Sequence, residues 1–275
     1  MSPHPSSASP TGHWRHLRLE RDGGVVTVTF DRPDRLNALT FGAYADLRDL
    51  LAELAREGGT RALVLGGAGR GFCSGGDVDE IIGATLAMGA GDLLDFTRMT
   101  GQVVRAVREV PFPVIAAVHG IAAGAGAVLA LAADFRVVEP SARFAFLFTR
   151  VGLAGADMGA AYLLPRLVGL GHATRLLMLG DTIDAVEAER IGLVSEVAEV
   201  GGADAAAARL ARRLADGPSL AYQQTKALLT AELDMPLGAA VEMDAAAQAL
   251  LMTSADYAEF HAAFTAKRDP KWEGR

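Results

Sequence analysis

The run PVIAAVHGIAAGAGAVLALAADFRV, residues 113–137, decides the fold class. Val114–Val118 is a short, wholly apolar strand closed by His119-Gly120. Gly124–Ala133 then begins an apolar helix, and Phe135–Val138 is the next strand. Strand, glycine-rich turn, helix and strand in so few residues imply a parallel β-α-β unit with a right-handed crossover.

The same alternation extends toward the N-terminus. Leu17–Glu20 and Val25–Phe30 are strand-like and joined by Arg-Asp-Gly-Gly, a hairpin signal. Phe41–Glu57 has apolar residues at helical spacing (Phe41, Tyr44, Leu47, Leu50, Leu51, Leu54), Ala62–Gly66 is a buried strand, and Gly91–Val110 is helical. After Val197 the pattern changes: Asp204–Ala215, Ser219–Leu233, Pro236–Leu251 and Ser254–Lys267 are helical with no strands between them. The expected organisation is a disordered Pro/Ser-rich tail over 1–14, an α/β core over 15–200 and a helical C-terminal region over 201–275.

Composition bounds the function. Of the 275 residues 51% are apolar, enough for a sizeable core, and the formal net charge is −7. An acidic chain offers no extended basic field to hold nucleic acid by counterion release. The single cysteine, Cys73, excludes a disulfide framework and any multi-cysteine metal site, which fits a cytoplasmic protein. Six histidines show neither HxxxH spacing nor an acidic partner pattern, so no metal is expected. Gly, Asp, Arg and His interrupt the long apolar stretch over 114–138, so no membrane span is expected.

Four ordered segments carry a specific resemblance: VVTVTFDRPDRLNAL (25–39), GRGFCSGGDVDEI (69–81), the run at 113–137, and RVGLAGADMGAAYLLPRLVG (150–169). TIDAVEAERIGLVSEV (182–197) and SADYAEFHAAFTAKRDP (254–270) add to it. Together they resemble the crotonase (enoyl-CoA hydratase/isomerase) superfamily. The resemblance implies an α/β fold with a crotonase-type β-β-α spiral core and a helical C-terminal trimerisation region, in a homotrimer or dimer of trimers. It implies an acyl-CoA thioester as substrate, with coenzyme A part of that substrate and no separate cofactor.

The chemistry implied is stabilisation of a thioester enolate by two backbone N–H groups. Such donors need a chain able to approach the ligand closely, hence the glycines. Carried over from the family, the donors are Gly76 and Ala125, the latter at a helix N-terminus whose positive end adds to the effect. The resemblance further places CoA contacts at Arg32, Arg35 and Ala38, at Ser74, Gly75, Asp77 and Val78, and at Phe264 and Lys267 near the C-terminus, with Arg268 beside them.

One departure stands out. A standard enoyl-CoA hydratase flanks the added water with two glutamates. Alignment on the two glycine segments puts those positions at Val128 and Phe148, and neither transfers a proton. The strongest replacement is Asp157, which dienoyl-CoA isomerases resemble here apart from one extra intervening residue. Partial desolvation would raise its pKa toward a useful range; as a helix N-cap it would instead be structural. Asp79, Glu80, Thr149 and Arg150 are weaker candidates, Cys73 reads as a packed small residue, and His119 as a satisfied structural one. A hydratase-like lyase is thus the default expectation, with isomerisation through Asp157 or decarboxylation as mechanistic alternatives. A non-catalytic acyl-CoA-binding protein is the alternative of another class.

Overall fold

The computed structural model describes residues 14–275; the segment expected to be a disordered tail lies outside them except for Trp14. In chain order the strands are β1 (Leu17–Asp22), β2 (Val25–Phe30), β3 (Ala62–Gly67), β4 (Val114–Val118), β5 (Ile121–Ala123), β6 (Phe135–Val138), β7 (Arg143–Ala145), β8 (Thr182–Asp184) and β9 (Glu196–Val197). The helices are α1 (Phe41–Glu57), α2 (Gly83–Thr85), α3 (Ala90–Glu109), α4 (Ala125–Ala132), α5 (Ala160–Leu179), α6 (Ala185–Arg190), α7 (Ala203–Ala215), α8 (Ser219–Ala231), α9 (Leu237–Leu251) and α10 (Ala255–Ala266).

The larger sheet has the order β1-β2-β3-β4-β6-β9. β1 and β2 form the expected antiparallel hairpin, and every later neighbour is parallel. Both faces of this sheet are covered, which is why its central strands lack polar alternation. Val26, Val28, Leu63, Leu65, Val114 and Val118 face the main core with α1, α3 and α4. Val25, Ala62, Val64, Ile115, Ala117 and Val137 face the other way, against Ala206, Ala207, Ala211 and Leu214 of α7. Although α7 opens the strand-free stretch of the sequence, its alanine-rich face therefore packs on the sheet.

Three three-residue strands, β5, β7 and β8, make a second sheet, with β5 parallel and β8 antiparallel to β7. Segments this short carry no periodicity, and the sequence pattern did not separate them from turns.

Two buried ionic nodes hold the layers in place. Arg136, 5% exposed, sends Nε to the Leu193 carbonyl at 2.6 Å and Nη1 to the Ala133 carbonyl at 2.6 Å. Burial brings its pKa down to about 10, which leaves it charged at neutral pH. Lys226 of α8 inserts its ammonium between the Val107 and Phe112 carbonyls (3.1 and 3.0 Å) and the Asp134 carboxylate (2.8 Å). It thereby fastens the C-terminal helices to α3 and β4.

A third node shapes the loops above the sheet. The buried Asp77 carboxylate accepts from the Asp79 and Glu80 N–H groups at 3.0 Å each and from Arg32 at 2.6 Å. Arg32 also donates to the Ala38 carbonyl at 3.0 Å. The Glu80 N–H, followed by Arg32, holds the Asp77 pKa below the usual carboxylate value despite its burial.

Lys226→Met should leave the Val107 and Phe112 carbonyls unpaired and cost about 3 kcal/mol in urea unfolding; unchanged stability would remove the node from the account. Because folding lowers the Asp77 pKa, its contribution is present above the unfolded value of about 3.9 and fades as pH falls through the folded one. Asp77→Asn should therefore lower stability at pH 7 by about 1–3 kcal/mol, and that deficit should shrink below about pH 4. A deficit independent of pH would sink this reading.

Candidate active site

Residues 72–77 run as an extended strip between two neighbours, and their pairing decides which N–H groups remain free. On one side the Cys73 N–H donates to the Ile121 carbonyl at 3.1 Å and the Cys73 carbonyl accepts from the Ala123 N–H at 2.9 Å. On the other, the Leu39 N–H donates to the Gly75 carbonyl at 2.7 Å and the Asp77 N–H to the Leu39 carbonyl at 2.9 Å. In a parallel bridge of this kind the flanking residues make the bonds, so the N–H of Gly76 itself points away from Leu39. It has no acceptor among the described residues.

The Ala125 N–H is free for a different reason. It belongs to the first turn of α4, where N–H groups have no helical partner. The preceding Gly124 N–H is taken by the Ala145 carbonyl at 2.8 Å, and the Ile121 carbonyl one turn back is occupied by Cys73. The two loops meet without side chains between them. Gly75 sits at φ 100°, and a Cβ there would stand 2.9 Å from the Ala123 carbonyl oxygen and 3.4 Å from the Ala125 nitrogen.

Gly76 and Ala125, the residues that carry these two N–H groups, both border one cavity of about 500 Å³. Its walls are mostly apolar, with Phe96 and Ile81 on one side and Phe148, Val151, Leu153 and Met158 on the other. Asp157 is the only carboxylate on that wall among the described residues. It is half-buried, in a single turn of 3-10 helix (157–159) ahead of α5. Among the described residues its Oδ1 accepts only from the next N–H, that of Met158, at 2.9 Å. Burial raises its pKa, and the Met158 bond offsets part of that rise. The N-cap of α5 is Gly159, with no side-chain bond, so Asp157 does not cap the helix.

The structure sorts the other residues singled out in the sequence. Ser74, Gly75, Gly76, Val78 and Ala125 border the cavity. Phe148 borders it too, and Val128 lies fully buried in α4 behind it. Arg32 and Asp77 are paired with each other beneath the loop, with Ala38 supplying a carbonyl to Arg32. Arg35 is exposed and pairs with Asp79 at 3.1 Å, while Glu80 accepts from the Phe41 N–H at 3.1 Å, so neither acid faces the cavity. Arg150 is turned outward, to the Leu179 carbonyl and Asp181. Phe264 and Lys267 are exposed on and just after α10, and neither borders the cavity.

Cys73 is fully buried and burial pushes its thiol up to about 12, the opposite of an activated nucleophile. His119 is held by the Gly69 carbonyl at 3.0 Å.

Among the cavity residues that the sequence did not single out, Tyr44 carries a hydroxyl. Tyr44 sits at a core position of α1, 3% exposed, and its hydroxyl opens into the cavity beside Gly76. In the sequence it is one more apolar residue on the inner face of a helix. The signal was the hydroxyl itself, since a buried tyrosine ordinarily finds a partner for its O–H.

Known proteins match this chain over most of its length. The profile of the enoyl-CoA hydratase/isomerase family matches residues 20–275. The 1,2-epoxyphenylacetyl-CoA isomerase of Escherichia coli K12 is 37% identical over 254 residues, 92% of this chain and 96% of that protein. A Rhodobacter capsulatus protein ascribed to the enoyl-CoA hydratases is 40% identical over 265 residues, 94% and 98% of the two chains. A crystal structure from Streptomyces coelicolor A3(2), likewise ascribed to the enoyl-CoA hydratases, superposes with a TM-score of 0.95 at 78% identity, over the full length of both chains. The chain belongs to the enoyl-CoA hydratase/isomerase family, the crotonase superfamily.

Proposed function

We propose that this acyl-CoA enzyme binds the thioester carbonyl between the N–H groups of Gly76 and Ala125 and moves a proton along the acyl chain with Asp157, as an enoyl-CoA isomerase does. The observation that carries the reading is the cavity carboxylate, single among the described residues, half-buried, with a raised pKa and no partner among those residues but the Met158 N–H.

With a 3-enoyl thioester, the Asp157 carboxylate takes a proton from the α-carbon. The electron pair moves into the thioester carbonyl and forms a dienolate, whose oxygen the two N–H groups hold. Asp157 then returns the proton at the γ-carbon, leaving the double bond between the α- and β-carbons. A positioned acid/base contributes about 10²–10⁴-fold, and each oxyanion donor about 10²–10³-fold. One group suffices because it removes a proton and puts it back. Hydration, the second reading, is favoured by the relatives ascribed to the hydratases. It needs a second group to hold and activate water, and neither Val128 nor Phe148 supplies one.

On this reading Lys267 meets a CoA phosphate and Phe264 its adenine from a neighbouring subunit, and Arg35 exchanges Asp79 for a phosphate, while Arg268 is held by Glu259. Exposed apolar side chains on the C-terminal helices (Leu237, Val241, Leu250 and Phe264) are what subunit burial would cover. Sedimentation equilibrium should return a homotrimer or twice that mass. A monomer at micromolar concentration would remove the intersubunit CoA contacts.

Incubation with a 3-enoyl-CoA in D₂O should give the 2-enoyl ester by mass spectrometry, with little deuterium in the acyl chain because Asp157 returns the proton it removed. Hydrated product from crotonyl-CoA at a comparable rate would favour the second reading. Asp157→Asn should lower kcat at least about 10²-fold while crotonyl-CoA still binds with nearly unchanged affinity. Because folding raises the Asp157 pKa, the fold disfavours the ionised form, and wild-type stability gains from this group as pH falls. The Asn variant should therefore melt no lower than wild type at pH 7. A fully active variant would dismiss Asp157 as the base.

A further inference from the structure

Tyr44 is the polar group of this cavity that the mechanism leaves unused. Its side chain comes from the buried face of α1, between Ala43 and Leu47, and is 3% exposed. Its backbone N–H is spent on the Thr40 carbonyl at 3.1 Å. Its hydroxyl makes no hydrogen bond among the described residues and is not sealed off from solvent, so it is open to the cavity. The hydroxyl stands 3.6 Å from where a Gly76 Cβ would be, directly against the donor loop. The two threonines on the same wall differ in this respect: Thr97 donates to the Leu94 carbonyl at 3.1 Å and Thr100 to the Thr97 carbonyl at 2.9 Å.

A hydroxyl open to a largely apolar cavity is completed by water when the site is empty, and by a ligand oxygen when an acyl group displaces that water. Burial above all, with the Asp157 carboxylate adding to it, holds it protonated far above the ordinary tyrosine value. In the site it is therefore a donor in search of an oxygen. Two ligand oxygens are conceivable. The thioester oxygen already has two N–H donors, Gly76 and Ala125, which occupy its two lone pairs. An oxygen on the acyl group has none, because the walls around it are Ile81, Phe96, Phe148 and Met158.

We propose that the Tyr44 hydroxyl donates a hydrogen bond to an oxygen substituent near the thioester end of the acyl group, so that the site selects oxygenated acyl-CoA esters over plain hydrocarbon ones. This rests on the acyl-CoA reading above and adds a substrate class to it. A site built to hydrogen-bond a ligand oxygen discriminates against the analogue lacking it, because its own polar group is then stranded.

The test is isothermal titration of the full chain, wild type and Tyr44→Phe, with butanoyl-CoA, 2-hydroxybutanoyl-CoA and 3-hydroxybutanoyl-CoA. The substitution deletes one oxygen atom and keeps the ring in the core, and a thermal melt checks that the variant is folded. Wild type should bind one of the hydroxy esters roughly tenfold more tightly than butanoyl-CoA. Tyr44→Phe should erase that preference while binding butanoyl-CoA at least as well. Equal weakening of all three esters would assign the hydroxyl to the thioester oxygen and overturn the proposal, as would the absence of any preference in wild type. Failure of wild type to bind any of the esters would instead refute the acyl-CoA reading and this inference with it.

Discussion

Two stretches of backbone touch with nothing between them, and the site depends on that contact. The strip 72–77 lies against 121–126 so closely that a Cβ at Gly126 would lie inside the van der Waals envelope of the Cys73 carbonyl oxygen. The bridge between Cys73 and Ala122 joins the strip to the second sheet, and the bridge between Leu39 and Gly76 joins it to the loop before α1. Those two pairings use the polar groups of Cys73, Gly75 and Asp77 and leave the Gly76 N–H over. The start of α4, set by the same contact, leaves the Ala125 N–H over. Two free donors beside one cavity are thus a consequence of pairing geometry and need no side chain to aim them.

Charge is distributed to keep that cavity quiet. Arg32 and Asp77 neutralise each other beneath the strip, Arg35 and Asp79 do so at the surface, and Lys226 meets Asp134 on the far side of α3. Cys73 and Tyr44 are held neutral by burial. Asp157 is left as the ionisable group that faces the cavity in a setting that disfavours its charge. An apolar wall that destabilises a carboxylate also makes it a stronger base, so the same feature weakens the fold and serves proton transfer.

The large sheet was legible because its strands are long and covered on both faces. Val114–Val118 and Phe135–Val138 have the limits expected of them, and α1 coincides with the apolar spacing of Phe41–Glu57. The second sheet was not legible: β5, β7 and β8 have three residues each, and their pairing is set by where other elements stop. Helix α7 was legible as a helix but not as a layer of the sheet, since alanines on one face do not announce their partner. Within the site, the glycine segments and Asp157 stood out by residue type. Tyr44 did not, because helical spacing records it only as buried, and whether a buried hydroxyl is satisfied is a question of three-dimensional contacts. Arg32 looked like a free cation in a loop until its partner, Asp77, proved to be forty-five positions along the chain.

The wall opposite the free N–H groups bears on the choice between proton transfer and water addition. A water molecule held for reaction needs two to four polar partners. Here Phe148, Val151, Leu153 and Met158 surround Asp157, and the threonine hydroxyls of α3 are turned to their own helix. On this wall, water placed beside Asp157 would find at most that carboxylate and the Tyr44 hydroxyl, the bottom of that range. An acyl chain there would meet apolar surface along its length, with the carboxylate against its carbons. Such a wall favours a proton that never leaves the site over a water that must be brought in and oriented, and it gives Tyr44 its reason to be matched by an oxygen on the ligand.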